Sequence, residues 1–196
     1  MEKETAKRHS GSNMMISMAT AREVEKPLLK IVLGTVFAAL VCVVTVLFTL
    51  PIPATNGYFN LGESIIYIAA LTFGPFVGSI AGGGAAIADL ILAFYLFAPG
   101  TLTIKVLEGL VVGALNRKIK QRTSNTTLSA TISVIFGGGI MIAGYFVYEQ
   151  TVLGYPMELA LAEVPFNIVQ AIVGLAVAVP VFHAIIRMFP QLKSQT

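Results

Sequence analysis

The sequence predicts an all-α integral membrane protein with about six transmembrane helices. Of its 196 residues, 56% are hydrophobic and only 12% are charged, whereas soluble domains carry roughly 25% charged residues. Several uninterrupted apolar stretches have the roughly 20 residues that a helix needs to cross a bilayer. We therefore expect one membrane domain, residues 28–190, between a polar, disordered cytoplasmic tail at 1–27 and a short tail at 191–196.

Six apolar segments follow one another along the chain, and Pro and Gly residues separate them. The predicted helices are 28–50, 61–73, 75–97, 101–115, 128–147 and 159–186. The first ends at Pro51 and Pro53, which cannot continue a regular helix. The Gly74-Pro75 pair separates the second helix from the third. The basic run 117–122 is predicted as the loop before the fifth helix.

The distribution of Lys and Arg predicts that both termini lie in the cytoplasm. Of the 13 residues of these two types, six lie before or at the start of the first helix, four in the 117–122 run and two near the C-terminus, which leaves Lys105. Basic residues concentrate on the cytoplasmic side of a membrane protein. An even number of crossings must therefore separate the three basic clusters. Six helices satisfy this condition, and so would re-entrant second and third helices.

The sequence contains no familiar motif for catalysis, nucleotide binding or metal binding. Its single cysteine, Cys42, excludes a disulfide framework, and His9 and His183 are isolated from other metal-ligand residue types. A P-loop, a nucleophile elbow and a zincin helix are all absent, so no cofactor and no metal are predicted. The basic residues act as orientation signals, and no nucleic-acid partner is expected. An enzyme would have only three plausible acid or base groups, Asp89, Glu108 and Glu163.

Small residues recur at intervals of four on two of the predicted helices. On the third helix this stripe is Gly74, Gly78, Gly82 and Ala86, and it predicts close packing against another helix. A looser stripe on the first helix consists of Gly34, Ala38 and Cys42. That second stripe could face a helix of this chain or one of a different subunit.

The last predicted helix has a polar stripe that indicates a ligand site. Glu163, Asn167 and Gln170 stand at positions i, i+4 and i+7, so they share one helix face. A carboxylate and two carboxamides offer both donors and acceptors, whereas a stripe that serves packing alone would consist of small residues. We expect this face to bind a polar molecule.

Other polar residues are expected around the same pocket, because ionisable groups inside a membrane usually face a cavity or a partner. Aromatic and amide side chains of the first loop could stack on a flat ring and recognise its edge. Lys105 and Glu108, three residues apart, could instead form an internal ion pair. Tyr145 and Glu149 are secondary candidates. The expected pocket residues outside the last helix are Asn56, Tyr58, Phe59, Asn60, Glu63, Asp89, Lys105 and Glu108.

Several segments together resemble the S components of energy-coupling-factor (ECF) transporters, in the branch with riboflavin, hydroxymethylpyrimidine and pyridoxine-type members. The similarity extends from about residue 28 to 187. It lies in the runs Asn60-Leu61-Gly62-Glu63, 74–83 (GPFVGSIAGG), Ala88-Asp89, 105–113 (KVLEGLVVG) and 165–170 (PFNIVQ). The order and spacing of these runs, rather than any one of them, make the resemblance specific.

This resemblance implies a multi-pass plasma-membrane protein that binds a water-soluble vitamin or vitamin precursor under its first loop. It also implies docking through the first helix onto a transmembrane coupling subunit driven by two ATPases, which assigns Gly34, Ala38 and Cys42 to a subunit interface. Such S components usually have an Ala-x-x-x-Ala stripe on that helix, where this chain has Gly34-x-x-x-Ala38. Two alternatives stay open, a stand-alone small carrier and an accessory membrane subunit of a prenyl-diphosphate enzyme.

Overall fold

The computed structural model describes residues 27–52, 57–190 and 192, and in this part the chain forms six helices and one β-hairpin. The helices are α1 (Pro27–Leu47), α2 (Gly62–Phe73), α3 (Pro75–Ile91), α4 (Ala98–Thr123), α5 (Thr126–Thr151) and α6 (Met157–Met188). The antiparallel strands β1 (Leu50–Pro51) and β2 (Tyr58–Phe59) form a hairpin between α1 and α2. The prediction of six helices is confirmed. His9, Asn56 and the tail up to residue 26 lie outside the described residues.

Four helices, α1, α4, α5 and α6, are long and apolar enough to cross a membrane. With 12 and 17 residues, α2 and α3 are shorter and extend about 18 and 26 Å. The centre of the bundle lies around α2, where Ile66, Tyr67 and Leu71 are fully buried. A helix enclosed in this way can be short, because protein rather than lipid surrounds its ends.

Most predicted boundaries differ from the structure by a few residues, and the ends of the third and fourth helices differ the most. The basic run 117–122 is not a loop but the last turns of α4, which ends where Ser124 adopts a left-handed conformation with φ of 54°. Lys and Arg are good helix formers and are favourable near a helix C-terminus, so the run extends the helix. In contrast, α3 ends at Ile91 instead of residue 97, because the chain turns at Ala93, whose φ is 64°.

The bundle has two chemically different ends. The first turns of α4 lie beside the hairpin, and its last turns lie about 39 Å away along its 26 residues. The far end, called here the basic end, contains every described Lys and Arg except Lys105. These residues are Lys30, Arg117, Lys118, Lys120, Arg122 and Arg187. The opposite end is called the hairpin end.

Glycines allow the backbones of α3 and α4 to pack in direct contact. A Cβ added to Gly78 would lie 2.7 Å from the carbonyl oxygen of Gly109, and one added to Gly82 would overlap the carbonyl group of Lys105. Ala86 is also buried. Gly74 does not belong to the helix, because with a φ of 90° it forms the corner between α2 and α3. The close contact fixes α3 against the turn of α4 that contains Lys105.

Replacing Gly82 with alanine should therefore lower the melting temperature of the purified protein in detergent by several degrees, because the new methyl group meets backbone that cannot move aside. The neighbouring Gly83 is the matched control, since a Cβ there would meet only the side chain of Leu102, at 3.8 Å. Gly83→Ala should melt at the wild-type temperature or slightly above it. Equal melting temperatures for the two variants would contradict the backbone contact.

The small residues of α1 face the inside of this chain, which corrects their assignment to a subunit interface. Gly34, Ala38 and Cys42 are all buried. A Cβ on Gly34 would lie 2.8 Å from the side chain of Ile80, and the carbonyl oxygen of Ala38 fills the space beside Gly84. The stripe is therefore used for packing α1 on α3, and the opposite face of α1 is the one left exposed.

Candidate binding site

A buried ionic cluster forms the floor of the site. The ammonium group of Lys105 on α4 contacts the carboxylate of Glu63 on α2, and its Nζ lies 3.1 Å from Oε2 of Glu108. The exposed fractions are 2% for Lys105, 1% for Glu63 and 0% for Glu108. The hydroxyl of Tyr67 donates a hydrogen bond to Oε1 of Glu108 at 2.7 Å. One ammonium group thus holds two carboxyl groups together, and it joins α2 to α4.

Gln170 on α6 links this cluster to the hairpin. Its Oε1 accepts hydrogen bonds from the backbone N–H of Asn60 at 3.0 Å and from the Asn60 side-chain amide at 3.3 Å. Its Nε2 donates to Oε2 of Glu63 at 3.4 Å. Both ends of the carboxamide have complementary partners, so this one side chain couples the loop to the ionic floor.

Tyr58 anchors the hairpin at a second place. Its hydroxyl donates a hydrogen bond to Asp89 on α3, and its ring lies 4.8 Å from that of Phe94. Burial raises the pKa of Tyr58, and the neighbouring Asp89 raises it further. The phenol therefore stays protonated and keeps donating to Asp89. The hairpin is held over the site from α3 and from α6 by these polar contacts.

Beneath the hairpin lies a cavity of about 30 Å³. This volume accommodates about two water molecules, whereas sites for small ligands usually measure about 300 Å³ or more. A ligand of that size can therefore enter only if the hairpin or the side chains beside it move. The cavity is lined by Gly57, Tyr58, Asn60, Ala85, Asp89, Phe97, Thr101, Lys105, Tyr145, Glu163, Asn167 and Gln170.

Most of the residues expected from the sequence meet around this cavity. Seven of them line it, namely Tyr58, Asn60, Asp89, Lys105, Glu163, Asn167 and Gln170. Glu63 and Glu108 lie just below and contact Lys105. Of the two secondary candidates, Tyr145 lines the cavity and Glu149 lies behind Glu163, facing its carboxyl group. Phe59 is not among the lining residues.

Sequence reasoning missed Gly57, Ala85, Phe97 and Thr101. Thr101 stands at i−4 from Lys105, so Thr101, Lys105 and Glu108 repeat on α4 the i, i+4, i+7 spacing that revealed the stripe on α6. This spacing could have identified Thr101. Phe97 follows the turn that ends α3, and no periodic pattern covers it.

Nowhere in 27–52, 57–190 and 192 do three His, Cys, Asp or Glu side chains come together as possible metal ligands. His183 lies near the basic end, where its Nε2 is 2.9 Å from the Thr127 hydroxyl and its Nδ1 is 2.8 Å from the Val179 carbonyl. It joins α5 to α6 and is remote from the cavity.

A membrane bundle of several helices, with a polar cavity beneath a hairpin, is the architecture of a membrane protein that binds small molecules. A family model described as ECF-type riboflavin transporter, S component, matches residues 27–187, and the chain belongs to this family. It is thus the substrate-binding S component of an ECF transporter, a multi-pass protein of the cell membrane and not an enzyme. This excludes the stand-alone carrier and the accessory enzyme subunit.

Two relatives are also similar to this chain in sequence. An uncharacterized protein of Pyrococcus woesei is 38% identical over 138 residues, which cover 70% of this chain and 88% of that protein. The thiamine precursor transporter HmpT of Lactococcus lactis subsp. cremoris is 32% identical over 155 residues, or 78% of this chain and 85% of HmpT.

Among solved structures, the S component of a bacterial ECF transporter superposes with a TM-score of 0.62 at 19% identity, covering 81% of this chain and 96% of that chain. The S component for biotin from an ECF-type ABC transporter gives a TM-score of 0.60 at 18% identity, with 80% and 92% covered. The fold is therefore that of an S component.

Proposed function

We propose that this S component binds a water-soluble vitamin or vitamin precursor with a flat ring, in the cavity above Lys105, for import. The observation that supports this most directly is the convergence of polar and aromatic residues from the hairpin, α3, α4 and α6 on one cavity. The family is described by riboflavin transport, and one relative transports a thiamine precursor. Both names denote compounds with ring systems, which Tyr58, Phe97 and Tyr145 could contact through their aromatic faces.

The proposed orientation places the hairpin end outside the cell and the basic end in the cytoplasm. Six described Lys and Arg residues lie at the basic end, whereas Lys105 is neutralised within the ionic floor, and basic residues favour the cytoplasmic side. The start of α1 and the end of α6 lie at this same end. Both termini would then be cytoplasmic, and the cavity would open toward the external ligand.

We further propose that the hairpin is a lid. A cavity of about 30 Å³ cannot admit a ring while the hairpin is closed. The contacts that hold the hairpin, from Tyr58 to Asp89 and from Asn60 to Gln170, are hydrogen bonds at its edge and can be exchanged for bonds to a ligand or to water. Lids of this kind exclude water after they close.

Coupling to an ECF transmembrane subunit and its two ATPases is proposed to use the exposed face of α1. Thr35 and Ala39, four residues apart, are both exposed there among apolar neighbours such as Val36 and Val43. Small residues at this spacing let a partner helix approach closely. This face replaces Gly34 and Ala38, which are occupied by α3.

The double variant Thr35→Leu/Ala39→Leu should separate binding from transport. Its ligand affinity should stay within about twofold of wild type, because neither side chain faces the cavity, while uptake by cells that express the coupling and ATPase subunits should be lost. Ala176→Leu on the exposed face of α6 is the control and should transport normally. Retained uptake by the double variant, or uptake that is independent of the ATPase subunits, would contradict the proposal.

A further inference from the structure

Two carboxyl groups, those of Glu149 on α5 and Glu163 on α6, meet at the wall of the cavity. The exposed fractions are 0% for Glu149 and 6% for Glu163, and the two side chains are hydrogen-bonded to each other. A hydrogen bond between two carboxyl groups needs a proton on one of them, because an ionised carboxylate can only accept. Two buried carboxyl groups in contact cannot both ionise without strong repulsion. The pair therefore holds one proton between its two members.

No described cation takes the place of that proton. Apart from the two carboxyl groups themselves, no N–H or hydroxyl group of the described residues donates to either oxygen of Glu149 or to Oε1 of Glu163. Among these residues, Glu163 is the one charged group that acts on Glu149. Lys105 lines the same cavity, but its ammonium group is held by Glu63 and Glu108. The pair thus differs from the ionic floor, where an ammonium group neutralises the acids.

The other titratable groups on the elements around the pair have partners of their own or face solvent. From the hairpin, Tyr58 donates to Asp89 on α3, and on α5 the hydroxyl of Tyr145 lies 3.0 Å from that of Thr101. Glu158, in the first turn of α6, is exposed. In the turn between α5 and α6, the half-buried Tyr155 donates its backbone N–H to the carbonyl oxygen of Glu149 at 2.9 Å, and its ring lies 6.3 Å from that of Phe97.

Glu163 also touches the hairpin. A Cβ added to Gly57 would overlap the carboxyl group of Glu163, so this group lies directly against the backbone that leads into β2. The carbonyl oxygen of Gly57 accepts a hydrogen bond from the N–H of Ile52 at 2.9 Å, across the hairpin. Contacts therefore extend from Glu149 through Glu163 to the hairpin backbone, and a displaced Glu163 carboxyl group would push against the hairpin.

We propose that Glu149 is a positioning residue for the binding site: it shares one proton with Glu163 and thereby holds the Glu163 carboxyl group where the hairpin can close over the ligand. This inference rests on the proposed function and adds its regulation by pH. When the hairpin opens, water reaches the pair, and carboxyl groups in water are ionised at neutral pH. Closure then takes up one proton from the solvent. Because the closed, ligand-bound state holds one proton more than the open state, ligand affinity falls as the pH rises.

The test measures the dissociation constants of riboflavin and hydroxymethylpyrimidine for the purified full-length chain in detergent. For the compound that binds, the dissociation constant of the wild type should rise at least about tenfold from about pH 6 to about pH 8, since one coupled proton contributes up to tenfold per pH unit. Glu149→Gln can still donate to Glu163 but has no proton to lose, so it should lose most of this pH dependence, whatever its absolute affinity. Titration of the ligand itself is common to both proteins and cancels in the comparison. Glu158→Gln, at an exposed position, is the control and should keep the wild-type profile.

The possible outcomes separate this inference from the proposed function. Binding by the wild type that does not depend on pH, or an equal pH dependence in Glu149→Gln, would overturn the inference and leave the proposed function intact. If Glu149→Gln does not fold, Glu163→Gln removes the same proton and must also lose the pH dependence. No binding of either compound at any pH would overturn the proposed function and the inference with it. Infrared spectroscopy tests the pair without ligand: the carbonyl band of a protonated carboxyl group should be present in the wild type and weaker in Glu149→Gln, and an unchanged band would refute the shared proton.

Discussion

Replacing Lys105 with methionine is expected to destabilise the protein more than any other single change in the site. The substitution leaves the carboxyl groups of Glu63 and Glu108 buried, adjacent and without their ammonium partner. Removing one partner of a buried ion pair typically costs about 3–5 kcal/mol, a large fraction of the total stability of most proteins. The expected result is a sharp fall of the melting temperature in detergent together with loss of ligand binding.

Companion variants distinguish this electrostatic cause from a packing defect. Lys30→Met, at an exposed position near the start of α1, should leave the melting temperature unchanged. Adding Glu63→Gln and Glu108→Gln to Lys105→Met removes the uncompensated acids, so this triple variant should regain much of the stability while still binding ligand poorly. A single Lys105→Met variant with wild-type stability would contradict the ionic floor described above.

The second large effect is expected for Gln170→Ala, which removes the link between the hairpin and the floor. Asn60 then loses the acceptor of its backbone N–H, and Glu63 loses a donor. Each unpaired buried group costs about 1–3 kcal/mol, so affinity should fall at least about tenfold. The loss of affinity should appear mainly as faster ligand dissociation, because a hairpin without its hydrogen bonds to Gln170 opens more often.

Stopped-flow measurement of the association and dissociation rates of the ligand shows which of the two rates causes the loss of affinity. Gln150→Ala near the end of α5 is the matched control, since within the described residues the Gln150 amide donates its hydrogen bond to the sulfur of Met157, at 2.8 Å. Its dissociation rate should equal that of wild type. A Gln170→Ala protein whose ligand dissociates at the wild-type rate would show that the hairpin is not latched through this residue.

Much of the site could be predicted because its polar residues are rare in an apolar chain. On α6, periodic spacing alone placed Glu163, Asn167 and Gln170 on one face, and all three line the cavity. Contacts between residues that are distant in the sequence could not be predicted in the same way. Nothing in the spacing of Lys105 and Glu108 shows that Glu63, 42 residues away from Lys105, is their partner.

The errors have physical causes that local patterns do not contain. The stripe of Gly34 and Ala38 is compatible with any close helix, and only the packing of Ile80 and Gly84 against it shows that the helix is α3. The end of α4 was predicted wrongly because a run of basic residues such as 117–122 is compatible both with a solvated loop and with helix turns. In such a run, helix propensity and the favourable position of cations near a C-terminus decide the outcome.

The central claim is that this membrane protein binds a vitamin-like ring, and it is tested most directly by identifying the compound that co-purifies with the chain. The protein would be extracted in mild detergent, denatured, and its released small molecules identified by mass spectrometry, with Lys105→Met prepared in parallel as a binding-deficient control. We expect a flat heteroaromatic compound in roughly stoichiometric amount from the wild type and not from the variant. Recovery of lipid alone, together with no detectable binding of riboflavin or hydroxymethylpyrimidine, would contradict the account.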